Sequence, residues 1–193
     1  MNIQPITLTG RAAQLEPLTV AHAGPLAAVA MPDLFTYHWP PRELSPAGFA
    51  EFIGYFVQLP GYVAFAIRAL EQDQVVGMTS YLDIRPQDRG VEIGFTWVAG
   101  PWQGTRINPE CKYLLLKHAF EDQGAHRVQL KTDLRNVQSQ RAIEKLGAVR
   151  EGVLRKHMVR PDGYVRDTVM YSIIAEEWPA VRARLEERLG YAL

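Results

Sequence analysis

Gly104 lies where backbone amides could gather round an anion. It belongs to a compact loop, Ala99 to Arg106, that follows the alternating strand Val91 to Val98. A helical pattern from Glu110 to Gly124 comes next. The free N–H groups of a helix start converge on one point, and a glycine lets the backbone approach an anion without side-chain interference. Phosphate holding is the chemistry such a loop supports, although an ordinary strand-to-helix turn reads the same way. Cys111 falls near the start of this helix, where the dipole could lower its pKa. As a small apolar side chain it reads more simply as packing. His22, His38, His118, His126 and His157 include no pair four residues apart, and with one cysteine they predict no dedicated metal site. Walker, dinucleotide, nucleophile-elbow and zincin motifs are missing from the sequence.

The elements that must position this loop follow from hydrophobic spacing. After the helix come a strand, Arg127 to Thr132, and a second helix opened by Asn136 and closed by Gly147. Upstream, Ile6 to Leu18 reads as one strand bulged at Gly10, and Thr19 as the N-cap of a helix from Val20 to Ala30. Met31 to Arg42 is a loop rich in aromatics. Ser45 or Pro46 starts a helix that buries Phe49, Phe52, Ile53 and Phe56 on one face. Tyr62 to Leu70 and Val75 to Ile84 form an antiparallel hairpin beside the Val91 strand. Val149 to Arg160 and Val165 to Ile174 form another across Pro161-Asp162-Gly163. A terminal amphipathic helix over 176–190 carries the stripe Trp178, Val181, Leu185 and Leu189, which is expected to pack on the sheet. The order β-α-α-β-β-β-α-β-α-β-β plus a C-terminal helix predicts a mixed α/β sheet with helices on its faces. One domain over 1–193 is expected, with its core at about 8–174.

A formal net charge of zero argues against electrostatic capture of nucleic acid or of an anionic membrane. A lone cysteine excludes an intrachain disulfide, and no apolar run has membrane-spanning length. The N-terminus lacks a signal-peptide profile, so a soluble cytoplasmic protein is expected.

Specific blocks then narrow the reading. They are Glu92-Ile93-Gly94, Gly104 to Asn108, Asn136 to Ile143, Lys145 to Ala148, Glu151 to Arg155 and Arg166 to Ser172. On these the chain resembles the GNAT superfamily of acetyl-coenzyme A-dependent N-acetyltransferases. Within it, the chain is similar to the RimJ/RimL-type branch, the ribosomal-protein-alanine acetyltransferases. The resemblance runs from Leu8 to Ile174 and implies a GNAT-like acyl-CoA N-acyltransferase fold. In that fold the Val91 and Arg127 strands run parallel and splay apart at one end. Pantetheine would lie between them and the pyrophosphate on Gln103, Gly104, Thr105 and Arg106. A backbone N–H among Trp97, Val98 and Ala99 would hold the oxyanion.

By the same resemblance Asn136 contacts pantetheine and Ser139 protonates the departing thiolate, although both also suit helix capping. Tyr37, His38 and Trp39 would wall the acceptor pocket. Arg106 departs from the family loop, which has a small residue there. Either its side chain points outward or its guanidinium takes a phosphate oxygen. A base is needed because only a neutral amine attacks, and Glu92 leads. It is expected to share a strand face with Gly94 and Thr96, opposite Val91, Ile93, Phe95 and Trp97. The branch's other carboxylate position holds Met158, with His157 beside it as an alternative base. Arg155, Arg166 and Asp167 would shape the same mouth or form in-sheet ion pairs. The expected activity is direct acetyl transfer from acetyl-CoA to a primary amine, a protein N-terminus or a small amine, with no metal. The alternative is a non-catalytic acyl-CoA-binding module, and exposed strand edges and the terminal helix allow a homodimer.

Overall fold

The computed structural model describes residues 1–191. Its strands are β1 (Leu8–Thr9), β2 (Ala13–Pro17), β3 (Val63–Ala69), β4 (Gln74–Arg85), β5 (Gly90–Val98), β6 (Arg127–Asp133), β7 (Val149–Val159) and β8 (Val165–Ile174). The helices are α1 (Ala23–Val29), α2 (Pro46–Phe56), α3 (Ile107–Lys117), α4 (Val137–Leu146) and α5 (Trp178–Leu189). One sheet of eight strands runs β1-β2-β3-β4-β5-β6-β8-β7. Every neighbouring pair is antiparallel except β5 and β6.

Both faces of the sheet are covered, as an α/β architecture requires. On one face Val91, Ile93, Val98, Val128 and Leu130 pack with α3, α4 and α5. On the other, Ala66, Met78, Leu82 and Trp97 pack with Phe35, Phe49 and Ile53 from the first loop and α2. Ser45 caps α2 by accepting the Gly48 N–H at 3.1 Å, and Pro46 occupies a first-turn position that needs no donor. Gly147 closes α4 in the left-handed conformation, φ 98°. Among the described residues no helix is long and apolar enough to cross a membrane.

Three sequence expectations are corrected. The N-terminal strand is a hairpin rather than a bulged strand. Leu8 pairs with Leu15, and Gly10 N–H donates to Ala13 O across the reversal. Helix α3 begins at Ile107, because Pro109 sits in the first turn where its missing N–H costs nothing, and the chain then widens into a π turn over His118–Asp122. The terminal stripe packs chiefly on α3. Trp178 stacks on Phe120 at 5.4 Å between ring centroids and meets Tyr113 at 6.4 Å.

Candidate active site

β5 and β6 start as a pair and then part. Their register holds only at Gly90–Arg127, Val91–Val128 and Glu92–Gln129. Beyond it β5 continues beside β4, while β6 continues beside β8 as far as Asp133–Thr168. Each strand therefore turns an unpaired edge toward the other, a ready partner for an extended amide-bearing molecule.

The parting coincides with a bulge. Phe95 has φ 50°, a left-handed conformation unusual for an aromatic residue, and the β4–β5 register shifts between Met78 and Ser80. The extra residue breaks the simple alternation expected for β5. Phe95 and Trp97 belong to the core beneath α2, away from Val91 and Ile93. Thr96 turns instead toward α3. There Lys112 Nζ donates to Thr96 Oγ1 at 2.5 Å and to Thr79 Oγ1 at 3.4 Å, and the two hydroxyls lie 2.7 Å apart. Lys112 is 6% exposed, and burial pulls its ammonium down to about 8.

At the loop, Gly104 takes φ 75°, and a Cβ built there would meet nothing within 4 Å. The N–H groups of Gly104, Thr105 and Arg106 have no acceptor among the described residues. Thr105 Oγ1 donates to Trp102 O (2.7 Å) and accepts the Ile107 N–H (3.3 Å), while Gln103 Nε2 ties back to Val98 O at 2.9 Å. Arg106 points outward. Its Nη2 donates to Leu189 O at 2.7 Å, at the end of α5 where the helix dipole favours a cation. With that contact the side chain is turned away from the loop's amides.

Among the three expected oxyanion donors, Ala99 N–H is already engaged by Val76 O at 2.8 Å. The indole of Trp97 is buried against Phe35 and Phe49. Backbone directions alternate along a strand, so Val98 N–H points the opposite way from Ala99, toward the open edge. Asn136 does cap α4, Oδ1 accepting the Ser139 N–H at 3.0 Å. The Ser139 side chain is half-buried, and its hydroxyl makes no hydrogen bond among the described residues. Cys111 is fully buried and its thiol is pushed up to about 12 by burial, as packing requires.

Glu92 is 1% exposed at the point where the strands part. Lys131 Nζ lies 3.0 Å from its Oε2, and Gln129 Nε2 donates to the same oxygen at 3.0 Å. His157 bonds Thr168 Oγ1 through Nδ1 at 3.1 Å. Burial, Lys131 and Arg166 hold its imidazole below the ordinary range against the pull of Glu92. Tyr37, His38 and Trp39 follow a short 3-10 turn, and Trp39 is exposed. Tyr37 OH reaches Arg135 O at 3.4 Å, and the His38 ring lies 5.7 Å from Phe95. Burial, then Arg166, Arg160 and Lys112, hold His38 down to about 4.

Sequence reasoning missed Lys112, Glu110 and Arg160. Charged residues in a helix read as solvated, yet α3 is wedged between the sheet and α5. Glu110, 1% exposed, accepts the N–H groups of Arg11 (3.0 Å), Ala12 (2.7 Å) and Ala13, together with the Tyr191 hydroxyl.

Known proteins share this architecture. A solved chain from T. thermophilus described as an acetyltransferase is 43% identical, with 98% of this chain and 100% of that one covered and a TM-score of 0.91. A GCN5-related N-acetyltransferase from Brucella melitensis is 26% identical over 96% of this chain and 86% of its own, TM-score 0.89. YdaF of Bacillus subtilis (strain 168), named as a ribosomal N-acetyltransferase, is 29% identical over 109 residues. That stretch is 56% of this chain and spans 58% of the relative's length. The family profile described as acetyltransferase (GNAT) domain matches residues 13–149. The chain belongs to the GNAT acetyltransferase family.

Proposed function

We propose that the protein transfers an acetyl group from acetyl-CoA to a primary amine by direct attack within a ternary complex. The observation that carries this reading is the parting of β5 from β6 after Glu92–Gln129, beside a loop with three consecutive N–H groups that have no partner among the described residues. Gly104, Thr105 and Arg106 would bind the pyrophosphate through their backbone amides. The open edge of β5 would pair with the amides of pantetheine, and Val98 N–H would hold the oxyanion. Asn136 Nδ2 is left for the pantetheine arm, since its Oδ1 caps α4. The amine nitrogen bonds to the thioester carbon, the C–S bond breaks, Ser139 gives its proton to the leaving thiolate, and the second proton shed by the new amide nitrogen, passed directly or through water, restores the Ser139 hydroxyl. Glu92 accepts the ammonium proton, directly or through water, with Lys131 and Gln129 fixing its carboxylate.

The acceptor belongs to the class of protein N-termini and small amines, and Tyr37, His38 and Trp39 would wall its pocket. Release of free thiol from acetyl-CoA in the presence of an amine panel tests the reading. Saturable acetyl-CoA binding with no thiol release across the panel would reduce the protein to a binding module.

A further inference from the structure

Two arginines beside the aromatic loop have buried donors without a partner among the described residues. Arg160, at the end of β7, is 8% exposed. Its Nη2 donates to His38 O at 3.1 Å and lies 3.5 Å from Phe35 O, which ties the guanidinium to the loop carrying Tyr37, His38 and Trp39. Nε and Nη1 of the same group are buried without a hydrogen-bond partner among the described residues. The nearest carboxylate, Asp162, stands 3.9 Å from Nε and is itself mostly exposed. Arg166, on β8 opposite Met158, buries an unpartnered Nε as well and makes no ion pair among the described residues. Burial works hardest against its guanidinium, Asp133 supports the charge, and Arg160 opposes it.

The nearby carboxylates are shared with other cations. Asp133 is held by Arg135, whose backbone N–H (2.8 Å) and guanidinium (3.3 Å) both reach it. Glu92 is held by Lys131. The basin therefore contains Arg160, Arg166, Lys131 and Arg135 against Glu92, Asp133 and Asp162. Buried charged donors without acceptors are costly, and such orphans call for an explanation at a functional site. An anion bound there would satisfy them. A planar carboxylate matches the guanidinium fork.

We propose that Arg160 and Arg166 form an anion subsite that selects acceptor amines carrying a carboxylate. The inference rests on the acetyl-transfer reading and names the acceptor class for that same site. The pyrophosphate is not the intended occupant, because its cradle at Gly104–Arg106 adjoins the end of α5, where Arg106 is anchored. A carboxylate could come from a free amino acid or from an acidic side chain behind a peptide N-terminus.

The test measures kcat/KM with acetyl-CoA for common amino acids, each beside its carboxamide. Serine-led and aspartate-led tripeptide amides form a second arm. The expected result is a carboxylate form favoured over its neutral counterpart by on the order of tenfold, the effect of one charge-assisted contact. Preference among free amino acids assigns the α-carboxylate, and preference confined to the aspartate-led peptide assigns the side chain. R166Q should collapse that ratio toward one through a raised KM, and R166K should restore part of it. Circular dichroism and the acetyl-CoA Kd of R166Q check that its fold and donor site are intact, since R160Q alone could loosen the loop. Turnover with neutral amines at rates equal to their carboxylate forms overturns the subsite and leaves acetyl transfer standing. Absence of thiol release with every amine overturns the underlying activity, and this inference with it.

Discussion

Lys112 Nζ donates to Thr96 Oγ1 across 2.5 Å, so a lysine from α3 grips β5 next to its bulge and close to where the strand leaves β6. No carboxylate is within ion-pair distance of this ammonium among the described residues, and burial lowers its pKa to about 8. The unfolded chain keeps the lysine protonated up to its ordinary value of 10.5. Between about 8 and 10.5 unfolding takes up a proton, so this group makes stability rise with pH across that window. At neutral pH its burial penalty is fully present, on the order of 3 kcal/mol. K112M should remove the rise, and its stability relative to wild type should be greatest at neutral pH and shrink as pH climbs. Denaturant melts at neutral and alkaline pH measure this. Parallel curves for the two proteins would show that the ammonium is not desolvated.

The loop predicts opposite outcomes for adjoining residues. R106A removes a contact to Leu189 O at the end of α5 and should leave the acetyl-CoA Kd within about threefold, at a stability cost near 1 kcal/mol. G104V should weaken binding by tenfold or more, because a left-handed φ of 75° costs a non-glycine residue about 1–2 kcal/mol and the side chain fills the approach to the amides. Calorimetry on both variants reads the contrast. If R106A were the damaging change, the guanidinium would have to leave α5 to reach the phosphate.

The order of elements was legible because their signals are local. Asn136 and Gly147 bracket α4, Ser45 and Pro46 open α2, and apolar spacing marks each buried face. The missing features all depend on contacts distant in sequence. Phe95 carries no mark of a bulge, yet its bulge turns Thr96 toward Lys112 and sends Trp97 into the core under α2. Arg106 departs from the small residue of the family loop, and the partner that holds it outward, Leu189, lies 83 positions away. The partners of Glu110 could not be named from its own helix, because the amides that enclose it come from the N-terminal hairpin. At the site, the candidate glycine, serine and glutamate could be named from the sequence. The arginine pair needed the end of β7 brought against the first loop.

Glu110 predicts a stability effect without a chemical one. Its carboxylate accepts three successive backbone N–H groups of the N-terminal hairpin. An amide at this position offers one oxygen and turns donors toward donors. E110Q should therefore lose about 2–4 kcal/mol, the cost of leaving one or two buried donors unsatisfied. The Tyr191 hydroxyl, whose pKa burial and Glu110 push up to about 12, loses its charged acceptor as well. Urea melts give the size of the loss, and an unchanged midpoint would mean that the hairpin finds water as a substitute.

Ser139 and Asn136 separate capping from chemistry. N136A removes the acceptor of the Ser139 N–H and should cost about 1 kcal/mol of stability, together with weaker acetyl-CoA binding. S139A leaves that cap in place, because the bond uses the serine's backbone. Its kcat should fall on the order of a hundredfold, within the range for a general acid, with little change in acetyl-CoA Kd. A wild-type kcat in S139A would hand thiolate protonation to water.

Glu92 offers the sharpest test of the base. It is buried where β5 and β6 separate, and its one ion-pair partner among the described residues, Lys131, is 28% exposed at its side chain. E92Q keeps the shape and can keep a hydrogen bond to Gln129. The lysine left behind is solvated enough for the fold to survive its loss of partner. Proton removal from the incoming ammonium is what the amide cannot do. The kcat of E92Q should drop by about a hundredfold with acetyl-CoA affinity retained, and the wild-type acid limb of the pH–rate profile should give way to one that follows deprotonation of the amine itself. Added small bases or higher pH should recover part of the rate, since they deliver the amine already neutral. An acid limb in E92Q at the same pH as in wild type would move the proton to another group. The lowered pKa of His157 and its electrostatic coupling to Glu92 make it the next residue to substitute.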